Sequence, residues 1–211
     1  MIVPAMGDRY LTGRMADIYA AIDGLGWISG SYANWMASSA SPEPGDIDIF
    51  CRNGSEADHA QMCTNLLQTG FNDVGQTNFS RAFLDTHEEI LKLVQVVYPV
   101  PISIPDVDPD SPPYEVRRYG STPEELVANF DLSVAQAVVV SPTEVWVSDA
   151  WRNTNITRKL TVTDTLTPLN TVQRLIKYCG RGYSIDRDEL AQLFNAWETM
   201  SDIEREVQFY L

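Results

Sequence analysis

The order of patterns along this chain predicts an α+β fold: a small mixed β-sheet flanked by helices, followed by a helical C-terminal module. Three observations carry that expectation. Residues 46–50, Asp-Ile-Asp-Ile-Phe, alternate polar and apolar at period two, the mark of a strand with one buried face. Residues 89–98 contain Leu91, Leu93, Val94, Val96, Val97 and Tyr98, apolar enough for a central strand. From Pro168 onward the pattern is helical. The sheet core is therefore expected within residues 1–150, and the helical module within 151–211, packed on that core.

The elements follow in order. Residues 6–25 place Ile18, Ile22 and Leu25 on one helical stripe that Gly24 and Gly26 close. Trp27-Ile28-Ser29 then runs into Gly30-Ser31, a turn that opens a helix. Residues 38–45 are turn-rich, with two prolines and a glycine. Residues 56–68 read as a helix, with Ser55 as N-cap and Gly70 as stop. Residues 78–84 and 89–98 read as two strands joined at Asp85-Thr86-His87. Residues 99–113 hold six of the twelve prolines and exclude a helix, so an exposed excursion is expected there.

Thr122-Pro123-Glu124-Glu125 is a helix start with a Thr cap and Pro at the first position, and that helix should end near Phe130. Residues 132–140 are apolar enough to be buried, with Asp131 placed to cap them. Residues 144–148 form a short strand. Residues 169–179, 186–199 and 202–211 are helical, with a Gly-Arg-Gly break at 180–182.

Composition bounds the function. The chain has 211 residues, enough to bury a core without disulfide or metal staples. Its net charge of −14 comes from 15 basic and 29 acidic side chains. A duplex DNA binder needs a basic face, so that class is excluded, while a local basic pocket for a small phosphate ligand is not. No apolar run reaches the ~20 residues of a membrane span. The first residues lack the pattern of a secretory leader. Cys51, Cys63 and Cys179 are odd in number and widely spaced, so they read as reduced thiols, consistent with a cytoplasmic protein. Only His59 and His87 are present, which excludes a multi-histidine metal centre. His59 is expected on a helix surface, His87 in a turn, and Cys51 in the core. Arg81 is a further cleft candidate, or a solvated strand-edge residue.

The chemistry centres on Gly30-Ser31 and Asp46-x-Asp48. Aspartates at i and i+2 on a strand point to the same face. Two carboxylates there repel unless a cation or protons sit between them. Magnesium takes a few carboxylates plus phosphate oxygens, so this pair suits a magnesium–nucleotide complex. A Gly-Ser turn opening a helix offers backbone N–H groups and a hydroxyl to phosphate.

Gly30-Ser31 followed by Pro44-Gly45-Asp46-Ile47-Asp48-Ile49-Phe50 resembles the signature of the polymerase-β-like nucleotidyltransferase superfamily. Residues 78–83 with 93–97, Phe130-Asp131-Leu132, and Arg174 to Tyr178 with Gly182-Tyr183 are similar to small nucleotidyltransferase-like proteins of phage and viral genomes. The likeness runs from about Trp27 to Phe194. It implies a nucleotidyltransferase-like sheet and helices, with Gly30 and Ser31 on a triphosphate. Asp46 and Asp48 would hold magnesium, two ions if the site is catalytic. The activity implied is transfer of a nucleotidyl group from a nucleoside triphosphate, with pyrophosphate leaving. Arg174 and Lys177 would face the triphosphate and Tyr178 would stack on a base.

One departure stands out. Catalytic members carry a third carboxylate on a neighbouring strand, where this chain has Gln95, which supplies no charge. Asp131 is the other candidate, unless it serves as a helix cap. Two readings stay open: a magnesium-dependent enzyme whose acceptor is a protein, a small molecule or an RNA end, and a non-catalytic binding or structural protein, virus-encoded or virion-associated. If phage-encoded, it would act in the host cytoplasm.

Overall fold

The computed structural model describes residues 1–77, 80–87, 92–99, 102–104, 114–116, 118–202 and 205. Its strands are β1 (Ile2–Pro4), β2 (Gly26–Ser29), β3 (Asp46–Cys51), β4 (Phe71–Gln76), β5 (Ser80–Asp85), β6 (Leu93–Val97), β7 (Ile102–Ile104), β8 (Tyr114–Val116), β9 (Ala137–Ser141), β10 (Glu144–Val147), β11 (Lys159–Leu160) and β12 (Ser184–Ile185). The helices are α1 (Arg14–Ala21), α2 (Ser31–Ala37), α3 (Glu56–Gln68), α4 (Pro123–Val127), α5 (Asp149–Thr157), α6 (Pro168–Cys179) and α7 (Arg187–Thr199), with a 3-10 turn at Ser133–Ala135. Eight strands make one mixed sheet, in the order β1-β10-β9-β2-β3-β6-β5-β4. Its one parallel pair among the described residues is β3 with β6. The expected α+β architecture is present.

The period-two strand behaves as its sequence dictates. Ile47, Ile49 and Cys51 are buried on one face of β3, among Ile18, Met36, Met62 and Leu66 from α1, α2 and α3. Asp46, Asp48 and Phe50 point to the other face. There Phe50 packs with Trp27, Val138, Leu126 and Val127, the last two from α4. A separate apolar cluster joins Leu132 and Val134 to Leu160, Val162, Leu175, Tyr178, Tyr183 and Leu193. This second cluster joins residues on both sides of position 150 and includes the short β11–β12 pair. Trp151 packs into the first core instead, and its indole N–H donates to Asn34 Oδ1 at 2.8 Å.

Capping agrees with the local sequence. Ser55 accepts from the Asp58 N–H and Thr122 from the Glu125 N–H, while Glu125 reaches back to the Ser121 N–H at 2.9 Å. Ser55→Ala should lower stability by about 1 kcal/mol, read as a shift in the urea midpoint with an unchanged slope.

Several expectations differ. The helix expected from residue 6 begins only at Arg14, because Gly7 and Gly13 hold positive φ values of 61° and 52° that break it. The chain before it forms β1, whose three residues are too few to show a period. β4 and α5 were not expected. The helix begun at Thr122 ends at Val127 rather than near Phe130. The 132–140 segment is largely buried but splits into a 3-10 turn and β9. β5 covers the described part of its expected strand and runs on to Asp85, while β6 leaves out Lys92 and Tyr98; residues 78–79 and 88–91 lie outside the described ones, as do 105–113 of the proline-rich excursion and most of 202–211.

His59 is buried rather than on the surface. Its Nε2 lies 3.2 Å from the Val96 carbonyl and its ring stacks on Tyr98 at 4.6 Å, so burial lowers its pKa. Arg81 pairs with Asp73, away from the cleft, and His87 lies in a turn. Cys51 and Cys63 are buried, Cys179 is exposed, and all three are free thiols. No helix among the described residues is long and apolar enough to cross a membrane.

Candidate functional site

A cavity of about 290 Å³ opens between the sheet face that carries Asp48 and helix α6. β3 supplies Asp48 and Phe50, β6 supplies Gln95 and Val97, and β5 supplies Ser80. Gly30 and Ser31 form the rim at the start of α2. Arg118, the segment from Asn129 to Leu132, and the loop of Asp164 to Thr167 close other sides. Asn170, Arg174, Lys177 and Tyr178 of α6 complete it.

The carboxylate end follows from strand geometry. Asp46 and Asp48 share one face of β3, as residues two apart must. Ser31 donates to Asp46 Oδ1 at 3.3 Å. Gly30 has φ 68°, a conformation that L side chains rarely adopt, and a Cβ on it would meet Asp48 Oδ2 at an ordinary 3.5 Å contact. Burial pushes the Asp48 carboxyl up to about 6, and the charge of Asp46 adds to the rise; Lys177 and Arg174 pull the other way.

Gln95 stands beside Asp48 because β3 and β6 run parallel with these two residues in register. Its Oε1 accepts from the Ser80 hydroxyl at 3.0 Å. The third polar group on this face is therefore a neutral amide with its oxygen already engaged.

Asp131 is not a helix cap. The 3-10 turn Ser133–Ala135 has Leu132 at its cap position and no side-chain cap, and the Asp131 carboxylate turns the other way. It is 6 % exposed and accepts from Thr171 Oγ1 and Arg174 Nη1, both at 2.7 Å. Arg174 is 53 % exposed, so this ion pair joins a buried anion to a solvated cation. Tyr178 is buried, with its ring edge-on to Tyr183 at 5.9 Å, and burial pushes its hydroxyl up to about 12.

The cavity thus gathers Gly30, Ser31, Asp48, Gln95, Asp131, Arg174, Lys177 and Tyr178 from the residues singled out in the sequence, with Asp46 adjoining through Ser31. Two charged lining residues were missed, as was the polar Asn170. Arg118 follows the proline-rich stretch, and burial together with the charge of Arg174 lowers its guanidinium to about 10. Asp164 sits in a loop with no motif around it. The only signal available was their charge.

Two carboxylates on a strand face suit magnesium if phosphate oxygens and water fill the remaining positions of its octahedron. Among the described residues no group of three or more His, Cys, Asp or Glu side chains converges to form a protein-only metal cage.

No protein-family model matches this chain, and neither does any curated protein. Solved structures do. The complex of a CCA-adding enzyme with CTP aligns at a TM-score of 0.58 with 12 % identity, over 90 % of this chain and 44 % of that one. The Thermotoga maritima CCA-adding enzyme complexed with tRNA aligns at 0.56 with 10 % identity, over 90 % and 43 %. A tRNA nucleotidyltransferase complexed with a primer tRNA and an incoming ATP analog aligns at 0.52 with 11 % identity, over 82 % and 47 %. This chain spans less than half the length of each. What it shares with these enzymes is the nucleotidyltransferase-like α+β fold.

Proposed function

We propose that this chain is a magnesium-dependent nucleotidyltransferase that moves a nucleotidyl group from a nucleoside triphosphate to an acceptor. The observation that carries this reading is a cavity in which Asp48, with Asp46 adjoining on the same strand face, faces the charges of Arg174 and Lys177, and which Arg118 also lines. Carboxylates alone would suit a bare cation, and cations alone a bare anion. Facing each other, they suit a metal–polyphosphate complex. The fold likeness to enzymes solved with CTP and with an ATP analog supports the same reading.

In the transfer, an acceptor oxygen forms a bond to the α-phosphorus. The bond from that phosphorus to the oxygen bridging to the β-phosphate breaks, and pyrophosphate leaves with the electron pair. The acceptor proton passes to water. Bound magnesium, one ion or two, would neutralise triphosphate charge and acidify the attacking oxygen. Asp46 and Asp48 would hold the cation, and Lys177 and Arg174 would offset charge on the phosphates. Gly30 lets backbone approach the ligand, and Ser31 orients Asp46. The acceptor is a protein, a small molecule or an RNA end.

A second reading, a non-catalytic nucleotide-binding or structural protein, is favoured by Gln95. With its oxygen engaged by Ser80 it adds no charge for a second ion and takes no proton.

Thermal melting with magnesium and each of the four nucleoside triphosphates tests nucleotide binding, and transfer of label from an α-labelled triphosphate separates the two readings. Wild type should melt several degrees higher with magnesium and triphosphate together than with either alone. Gly30→Val should lose that shift, because its side chain enters the space beside Asp48 from a strained backbone. An unshifted wild type defeats the enzyme reading and every nucleotide-binding one, and leaves a structural role.

A further inference from the structure

The cavity has an end that the phosphate chemistry leaves unused. α6 presents Asn170, Arg174 and Lys177 to it at i, i+4 and i+7, along one helix face. Arg174 and Lys177 are the cations whose charge acts on Asp48. Seven residues of helix rise about 10 Å, so Asn170 lies about that far from Lys177, toward the helix start. That is the reach from a triphosphate to its base.

Three further features line the same cavity. Asp164 lines the cavity half-buried. Its carboxylate accepts from the backbone N–H groups of Leu166 and Thr165, and no cationic side chain pairs with it among the described residues. A carboxylate has about four acceptor positions, so capacity remains for a ligand. Asn170 makes no side-chain hydrogen bond among the described residues, and its amide offers both a donor and an acceptor. Phe130 supplies an aromatic wall beside Phe50, their rings 5.3 Å apart. Thr163 ties the Asp164 loop to this wall, donating from its hydroxyl to the Phe130 carbonyl and from its N–H to the Asp131 carbonyl at 2.9 Å.

An acceptor-only group, a two-way amide and an aromatic wall make a base-reading site. Guanine presents two adjacent donors, N1–H and the 2-amino group, which a carboxylate accepts together. Adenine and cytosine set a ring acceptor beside their amino group, and uracil flanks its one N–H with two carbonyls. A carboxylate repels each of those acceptors. Guanine also offers O6 and N7 to the Asn170 amide. Resting on the nucleotide reading above, the geometry points to a guanine nucleotide as the ligand, with Asp164 as the residue that selects the base.

Titration calorimetry on the full chain with magnesium and GTP, ATP, CTP and UTP tests this. GTP should bind at least about ten-fold more tightly than the other three. Asp164→Asn keeps an oxygen to accept from the Leu166 N–H, and burial raises the Asp164 carboxyl, so the variant should fold and melt no lower than wild type without nucleotide. It turns one acceptor into a donor, so it should lose the GTP preference and gain xanthosine triphosphate, which has an oxygen where guanine has its 2-amino group. Equal binding of the four bases, or preference for another base, overturns the assignment and leaves the nucleotide site standing. An Asp164→Asn variant that keeps the GTP preference and changes only discrimination between GTP and 2′-deoxy-GTP makes Asp164 a sugar reader, which also overturns it. If no triphosphate binds, the nucleotide reading falls as well.

Discussion

Asp48→Asn should melt higher than wild type in metal-free buffer at neutral pH, yet lose all stabilisation by magnesium with triphosphate. The first half follows from the raised carboxyl. Asp48 stands at about 6 in the folded chain against an ordinary 3.8, chiefly through burial and then through Asp46. Its protonated form therefore favours the folded state. That contribution is complete below about 3.8 and is lost as pH rises through about 6. At neutral pH the ionised pair opposes folding by about 1–3 kcal/mol, the lower part of the range applying because Asp48 keeps some exposed surface. The amide removes that opposition, and its advantage over wild type should vanish below pH 4. The second half follows from chemistry, since an amide adds no charge to hold a divalent cation. Melting curves from acid to neutral pH, with and without magnesium and triphosphate, measure both. A variant that still gains stability from magnesium with triphosphate would remove Asp48 from the metal site.

Gln95→Asp should act in the opposite sense. The parallel register sets residue 95 beside Asp48, so a carboxylate there becomes the third charge on one sheet face. In metal-free buffer it should lower the melting temperature through like-charge repulsion. With magnesium it should raise cation affinity by about ten-fold and increase any transfer to an acceptor. Ser80 keeps an acceptor for its hydroxyl, so the strand pairing is undisturbed. Asp131→Asn should leave magnesium affinity unchanged, because Asp131 is occupied by Arg174 and Thr171. It should instead free Arg174 and alter triphosphate affinity. If Asp131→Asn abolishes magnesium binding while Gln95→Asp does nothing, Asp131 is the third ligand.

Much of the site was legible because it is written in local period and local chemistry. Asp46 and Asp48 alternate with Ile47 and Ile49, and only one strand geometry buries both isoleucines. That same geometry puts both carboxylates on one face. Ser55 and Thr122 could be read as caps, since each serves an N–H three residues on. Arg174 and Lys177 could be placed on one helix face by their spacing alone. α5 was not legible, because only Trp151 and Thr154 of its nine residues are buried and no apolar stripe marks it.

By itself the sequence determined the mixed α+β class, the carboxylate face of β3, the Gly-Ser turn and the cationic face of α6. Each depends on residues a few positions apart, where backbone geometry sets which side chains share a face. Only the tertiary structure decided that Asp131 turns to Arg174, 43 positions away, instead of capping the turn beside it. It also decided that Gln95 stands level with Asp48, and that Arg118 and Asp164 enter the same cavity. Those outcomes depend on strand register and on how distant segments pack. A buried carboxylate takes the partner that packing brings within reach, and nothing in its neighbouring residues names that partner.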